Sequence, residues 1–140
     1  MNLIINAAEA VSDSGVVRLT TGVEALTAAD LSMMRVGQDA APGEYAFLAV
    51  EDDGIGMDEP TLQRLFQPFF TTKPSGHGLG LAAVQGIILG HRGALRVDTR
   101  LGHGSRFCVW FPAADTGRLS ADLEQWSPGE ERRNQEVGAP

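Results

Sequence analysis

The stretch EYAFLAVEDDGIGMD, residues 44–58, decides how the rest of the chain is read. Its first eight residues are rich in aromatic and branched side chains, the composition of a strand buried in a sheet. Three consecutive acids, Glu51, Asp52 and Asp53, end the apolar run, and Gly54 and Gly56 follow. A buried strand ending in a carboxylate and two glycines brings a hydrogen-bond acceptor and unhindered backbone to one place. A plain acidic β-turn uses the same residues, because Asp-Gly is a common hairpin signal. Taken alone, the segment leaves a ligand loop and a bare turn both open.

On its N-terminal side, residues 2–11 read as a helix, with Leu3, Ala7 and Ala10 at i, i+4, i+7 and a stop in Ser12-Asp13-Ser14-Gly15. Asn2, Asn6 and Glu9 fall on a second face of that helix, since residues three and four apart stack. Residues 16–21 read as a short strand, and residues 28–36 as a helical turn inside a long hairpin connection. On the C-terminal side, Asp58 is placed to cap a helix over residues 59–67, with Pro60 tolerated in its first turn and Pro68 closing it. FFTTKPSGHG, residues 69–78, is an irregular glycine- and proline-punctuated loop. Residues 79–89 are helical, with Leu81, Val84 and Ile88 facing the core, and strands follow at 94–99 and 106–111 around a turn at 101–104. Hairpin-like strand pairs separated by helices predict an α+β fold, a two-layer α/β sandwich whose mixed sheet carries helices on one face. Residues 1–112 make that domain. Residues 113–140 are polar, with Pro128, Gly129 and the charge cluster EERR, and read as a disordered tail or linker.

Composition narrows the function classes. The chain of 140 residues suits one domain, and its 43% apolar and 21% charged content is ordinary for a globular protein. A formal net charge of −7 argues against a general nucleic-acid binder, which presents a basic face. It does not argue against a nucleotide, because Mg2+, backbone N–H groups and a few local cations can hold a triphosphate. One cysteine, Cys108, excludes an internal disulfide framework and fits a reducing compartment. No apolar run approaches the roughly 20 residues needed to span a bilayer, and the first residues lack the form of a signal peptide. The expectation is a cytoplasmic domain with no direct membrane contact, any membrane tether belonging to a larger parent protein.

Three separated segments suit a metal-bound nucleotide. Asn2 and Asn6 offer amide oxygens, hard donors appropriate to Mg2+, although solvent-facing amides on an amphipathic helix read the same way. Asp52, Gly54 and Gly56 offer a carboxylate for an exocyclic amine beside backbone that a base can approach. GHGLGLA, residues 76–82, is a glycine loop running into a helix, whose free N–H groups form an anion site. It matches neither the dinucleotide fingerprint nor a P-loop.

Together these segments resemble the ATP-binding domain shared by histidine kinases, DNA gyrase, Hsp90 and MutL, the GHKL superfamily with its Bergerat fold. NLIINAAEA (residues 2–10) resembles the N box, EDDGIGM (51–57) the first glycine box and GHGLGLA (76–82) the second. LFQPFFTTK (65–73) resembles the F box and lid of the kinase branch, and HRGALRVDTRLGHGSRFCVWFP (91–112) the closing pattern of the family. The similarity covers about residues 2–112 and points to the C-terminal catalytic domain of a bacterial sensor histidine kinase.

The resemblance implies roles residue by residue. Asn6 would hold Mg2+ with Asn2 assisting, and Asp52 would recognise the adenine amine, with Gly54 and Gly56 shaping the base pocket. Gly76, Gly78 and Gly80 would contact the phosphates of ATP, with His77 and Leu79 in the same box. Phe69 and Phe70 would anchor the lid. Thr72 and Lys73 would lie along the phosphates, Lys73 sharing the catalytic role with Asn6. Hydrolysing relatives place a glutamate one turn before the metal asparagine as a general base. Here that residue is Asn2, which favours transfer to a protein histidine over hydrolysis. None of His77, His91 and His103 lies in an H-E/D-x-x-N/R helix, so the acceptor histidine is expected on a dimerisation domain outside this chain, with a response-regulator receiver domain as the next partner. A degenerate nucleotide-binding or interaction module and an anti-sigma-type serine kinase are the competing functions. Departures from the family are Arg92 for the first glycine of H-G-G, Ser105 for a threonine, neither expected at the pocket, and a start inside the N box, which implies a domain incomplete at its N-terminus.

Overall fold

The computed structural model describes residues 2–72 and 80–113. Its elements run α1 (Asn2–Ala10), β1 (Val17–Leu26), α2 (Ala28–Ser32), β2 (Gly43–Asp52), α3 (Glu59–Arg64), α4 (Gly80–Gly90), β3 (Ala94–Arg100) and β4 (Gly104–Pro112). The strands form one sheet in the order β1-β2-β4-β3. β1 pairs with β2 over ten residues, from Val17 opposite Asp52 to Leu26 opposite Gly43. β4 inserts between β2 and β3 and pairs with both.

The alternation of side chains along each strand builds two apolar layers. Val50, Phe107, Val109 and Leu95 project to the face covered by α1, α3 and α4, where they meet Leu3, Ala7, Leu65 and Ile88. Tyr45, Ala49, Cys108 and Trp110 project the other way and pack with Leu26, Leu31 and Met34. The α2 turn covers this second face, held by a capping box. Asp30 N–H donates to Thr27 Oγ1 at 3.2 Å and Thr27 N–H donates to Asp30 Oδ2 at 2.8 Å. Burial pushes the Cys108 thiol up to about 11, so it is inert as a nucleophile at neutral pH.

The α+β class and the helix-on-sheet layering agree with the sequence. The sheet itself corrects the expectation of mixed strands: β1–β2, β2–β4 and β3–β4 are all antiparallel. The excursion through α3 and α4 brings the chain back so that β4 runs against β2, leaving no parallel neighbour among the described residues. A second difference is that α2 lies on the face opposite the other helices. The expected boundary after residue 112 falls where description ends; Ala113 N–H donates to Glu44 O at 3.0 Å and extends the ladder by one rung. Residues 114–140, expected as a tail, lie outside the described residues.

Candidate functional site

Asp52 is the last residue of β2 and, with Ser105, one of two buried polar or charged residues among those described. It points to the helix-bearing face, on the same strand parity as Val50, and is 7% exposed. Its Oδ1 accepts the Gly54 N–H at 2.9 Å, which turns the chain sharply as it leaves the sheet. The following loop is tied on three sides. Asp53 Oδ1 accepts the Val16 N–H at 2.9 Å, Ile55 N–H donates to Ala10 O at 3.2 Å, and Gly102 N–H donates to Ile55 O at 2.7 Å. Gly56 adopts a φ of 65° and passes so close to β3 that a Cβ would stand 2.0 Å from the Arg100 carbonyl oxygen. Only glycine fits there. The residues that read equally as a ligand loop or a bare turn form a loop tied between the end of α1 and the β3–β4 connection.

Ser105 lies directly across from Asp52 in the β2–β4 register, and Thr99 directly across from Ser105 in β3–β4. Cross-strand partners share a face, so the three side chains form a row. Thr99 Oγ1 donates to Gly104 O at 3.2 Å and accepts the Met57 N–H at 2.9 Å. With its proton committed, Thr99 is the acceptor in the 2.7 Å contact with Ser105 Oγ. Ser105 and Thr99 thus stand beside Asp52 on one face of the sheet, a neighbourhood the sequence did not indicate for Ser105. The register that brings it to Asp52 could not be read from a linear pattern.

The asparagine face of α1 meets the start of α4. Asn2 Nδ2 donates to Gly80 O at 3.2 Å, and the position of a Cβ on Gly80 would be 3.6 Å from Asn2 Cγ. Asn6 is half-buried one turn on. The structure therefore brings Asn2 and Gly80 together at the start of α1 and sets the loop after Asp52 against Ala10 at its end, with Asn6 midway along the helix. Phe69 and Phe70 separate in role. The Phe70 ring lies under the Arg64 guanidinium at 4.4 Å, whereas Phe69, at a φ of 68°, is 76% exposed. Phe70 is thus packed against α3, whereas the Phe69 side chain is left uncovered among the described residues. Thr72 is exposed at the edge of description, and Lys73, Gly76, His77, Gly78 and Leu79 lie outside the described residues.

Asp58 caps α3 as the sequence indicates: its Oδ1 accepts the Thr61 N–H at 3.0 Å, which holds its carboxyl below the usual carboxylate range. A groove of about 740 Å³ opens at the far end of the strands from Asp52, between the segment around Gln38 and Arg92, and contains none of the pocket residues named above. Among the described residues no three acids, histidines or cysteines converge as a metal cluster. No helix among them is long and apolar enough to cross a membrane.

Residues 1–115 match the family model described as histidine kinase-, DNA gyrase B-, and HSP90-like ATPase. The chain belongs to that family. Within it, the similarity is to the catalytic domains of bacterial sensor histidine kinases. Sensor kinase CckA of Brucella abortus is 36% identical over 114 residues, which are 80% of this chain and 12% of that protein. The signal transduction histidine-protein kinase AtoS of Escherichia coli is 35% identical over 117 residues, 84% of this chain and 16% of AtoS. The chain is thus a small part of the length of these relatives. Full-length ShkA, solved in complex with AMPPNP, superposes with a TM-score of 0.58 at 28% identity, covering 81% of this chain and 21% of ShkA.

Proposed function

We propose that this chain is the ATP-binding catalytic domain of a two-component sensor histidine kinase, presenting the γ-phosphoryl group of ATP to a histidine on a separate dimerisation domain. One observation carries the reading: the asparagine face of α1, the loop after Asp52 and the first residue of α4 converge along a single nine-residue helix. That helix is about 13 Å long, the scale of an extended nucleoside triphosphate. Adenine would sit at the Asp52 end, its exocyclic amine donating to the carboxylate, with Ser105 completing the polar row and Gly54 and Gly56 against the base. The phosphates would lie toward Asn2 and Gly80, with Gly76, His77, Gly78, Leu79, Thr72 and Lys73 supplying the remaining donors and Phe69 the lid. The relative ShkA, solved with AMPPNP, supports a nucleotide ligand.

An amide oxygen is a hard donor that suits Mg2+, so Asn6 would hold the ion together with the nucleotide, and the ion would supply charge neutralisation for phosphoryl transfer. Asn2 cannot take a proton from water, and its amide is engaged with Gly80 O. The site is therefore suited to positioning a phosphoryl group rather than to activating water. A response-regulator receiver domain would be the eventual recipient, in the cytoplasm and without nucleic-acid or membrane contact by this domain. The test is to incubate the chain with Mg-ATP and a dimerisation domain carrying an H-E-x-x-N helix. Acid-labile, base-stable phosphate on that histidine is expected. Acid-stable phosphoserine on a protein substrate would instead identify a serine kinase, and binding without transfer a non-catalytic module.

A further inference from the structure

Among the described residues β1 is the outer strand of the sheet, paired on one side only. It runs ten residues without a bulge or proline, against a common strand length of about 5–6. The phase of its ladder follows from the hydrogen bond of Asp53 N–H to Val16 O at 3.4 Å, which makes Val16 and Asp53 a hydrogen-bonded pair. The bond of Ala113 N–H to Glu44 O fixes the same phase on the other side of β2. Antiparallel alternation then turns the backbone groups of Arg18, Thr20, Gly22 and Glu24 toward β2. Those of Val17, Leu19, Thr21, Val23 and Ala25 turn outward. The same odd-numbered residues include two apolar side chains that the fold leaves uncovered, Leu19 at 51% and Val23 at 66% exposure.

The strand is complementary to itself. If a second β1 runs antiparallel beside it about a two-fold axis at Thr21, Leu19 meets the second copy's Val23, and Arg18 meets the second copy's Glu24. Val17 meets Ala25, and Thr21 meets its own equivalent. Every outward backbone group falls opposite another, the apolar pairs share the helix-bearing face, and the opposite charges share the other. A shift of one residue pairs outward groups with inward ones and destroys all three matches. Arg18 is available for this, since its contact with Glu51 is 3.9 Å long and its side chain is 70% exposed. Glu24 Oε1 accepts the Trp110 Nε1–H at 2.6 Å within its own chain, so Arg18 of the second copy would meet the other carboxylate oxygen, Oε2. We propose that β1 is a homodimerisation edge, joining two copies of this chain in that register into one continuous antiparallel sheet of twice the width. The joint is isologous, as a two-fold contact requires.

Sedimentation equilibrium of the 140-residue chain over a concentration series tests this. The wild type is expected to show a monomer–dimer equilibrium. Thr21→Pro removes an outward N–H without touching the β1–β2 ladder and should weaken association at least about tenfold. Because a proline can also disturb folding, Leu19→Glu and Val23→Lys provide a second arm on two exposed side chains. Each alone should weaken self-association. An equimolar mixture of the two should restore a dimer, as the carboxylate introduced in one copy meets the ammonium introduced in the other. Thermal unfolding of each variant monitors the fold. A strictly monomeric wild type overturns the proposal. So does a dimer indifferent to Thr21→Pro, or a mixture of the two charged variants that associates no better than either alone.

Discussion

Ser105 occupies the position opposite Asp52, and its hydroxyl donates into the Thr99 chain that also holds the Met57 N–H. Its remaining lone pairs face the same side of the sheet as the carboxylate. Ser105→Ala should therefore lower Mg-ATP affinity by about twofold to tenfold, the range of one net hydrogen bond, as read by calorimetry, with adenine-free polyphosphate binding unchanged. Asp52 was legible because an acid at the end of an unbroken apolar run is unusual, and two glycines follow it. Ser105 and Thr99 were not, because their relevance depends on the β4 register against β2 and β3, which no local pattern encodes. Arg92 illustrates the reverse case. The sequence marked it as a departure from a glycine, and the structure gives the physical reason: its φ is 57°.

Among the elements, α4 ends in a tight cap in which Gly93 N–H donates to Ile88 O at 2.8 Å and Arg92 N–H to Leu89 O at 3.2 Å. That is the Schellman arrangement, with Arg92 at the left-handed position where a side chain costs roughly 1 kcal/mol. Arg92→Gly should stabilise the domain by about that amount in chemical denaturation. The cap of α3 supplies a pH dependence. Asp58 has a folded pKa below its unfolded value, so its contribution is complete above about pH 3.9 and lost as the pH falls through the lower folded value. Amide exchange at Thr61 should accelerate over that acid window and lose this pH dependence in Asp58→Asn, which keeps an acceptor without the charge. Both helices were legible from their periodicity and breakers. The sequence pattern marks a short strand only over residues 16–21. The strand instead runs to Leu26, and the Phe47 ring lies where a Cβ of Gly22 would stand, 2.7 Å from its nearest atom. That glycine marks a close approach to a residue on the neighbouring strand, far away in the chain.

At the scale of the whole molecule, the architecture holds the two ends of α1 against two different elements, the loop after β2 and the start of α4. The C-terminal end takes the Ile55 N–H, and the N-terminal end reaches Gly80. The order of elements was legible because hairpin strands and amphipathic helices alternate clearly. The uniformly antiparallel sheet was not, since strand direction depends on where the chain returns after α4 rather than on any strand's composition. This frame, on the function proposed above, builds a nucleotide pocket around Asp52. Isothermal titration of Mg-ATP into the wild-type chain and into Asp52→Ala, with matched thermal unfolding in the absence of ligand, tests it most directly. One site per chain is expected, with affinity reduced about tenfold to a hundredfold in the variant, as the loss of a hydrogen bond to a charged group would give. Equal affinity in the two proteins, or no binding by a folded wild-type chain, would contradict it.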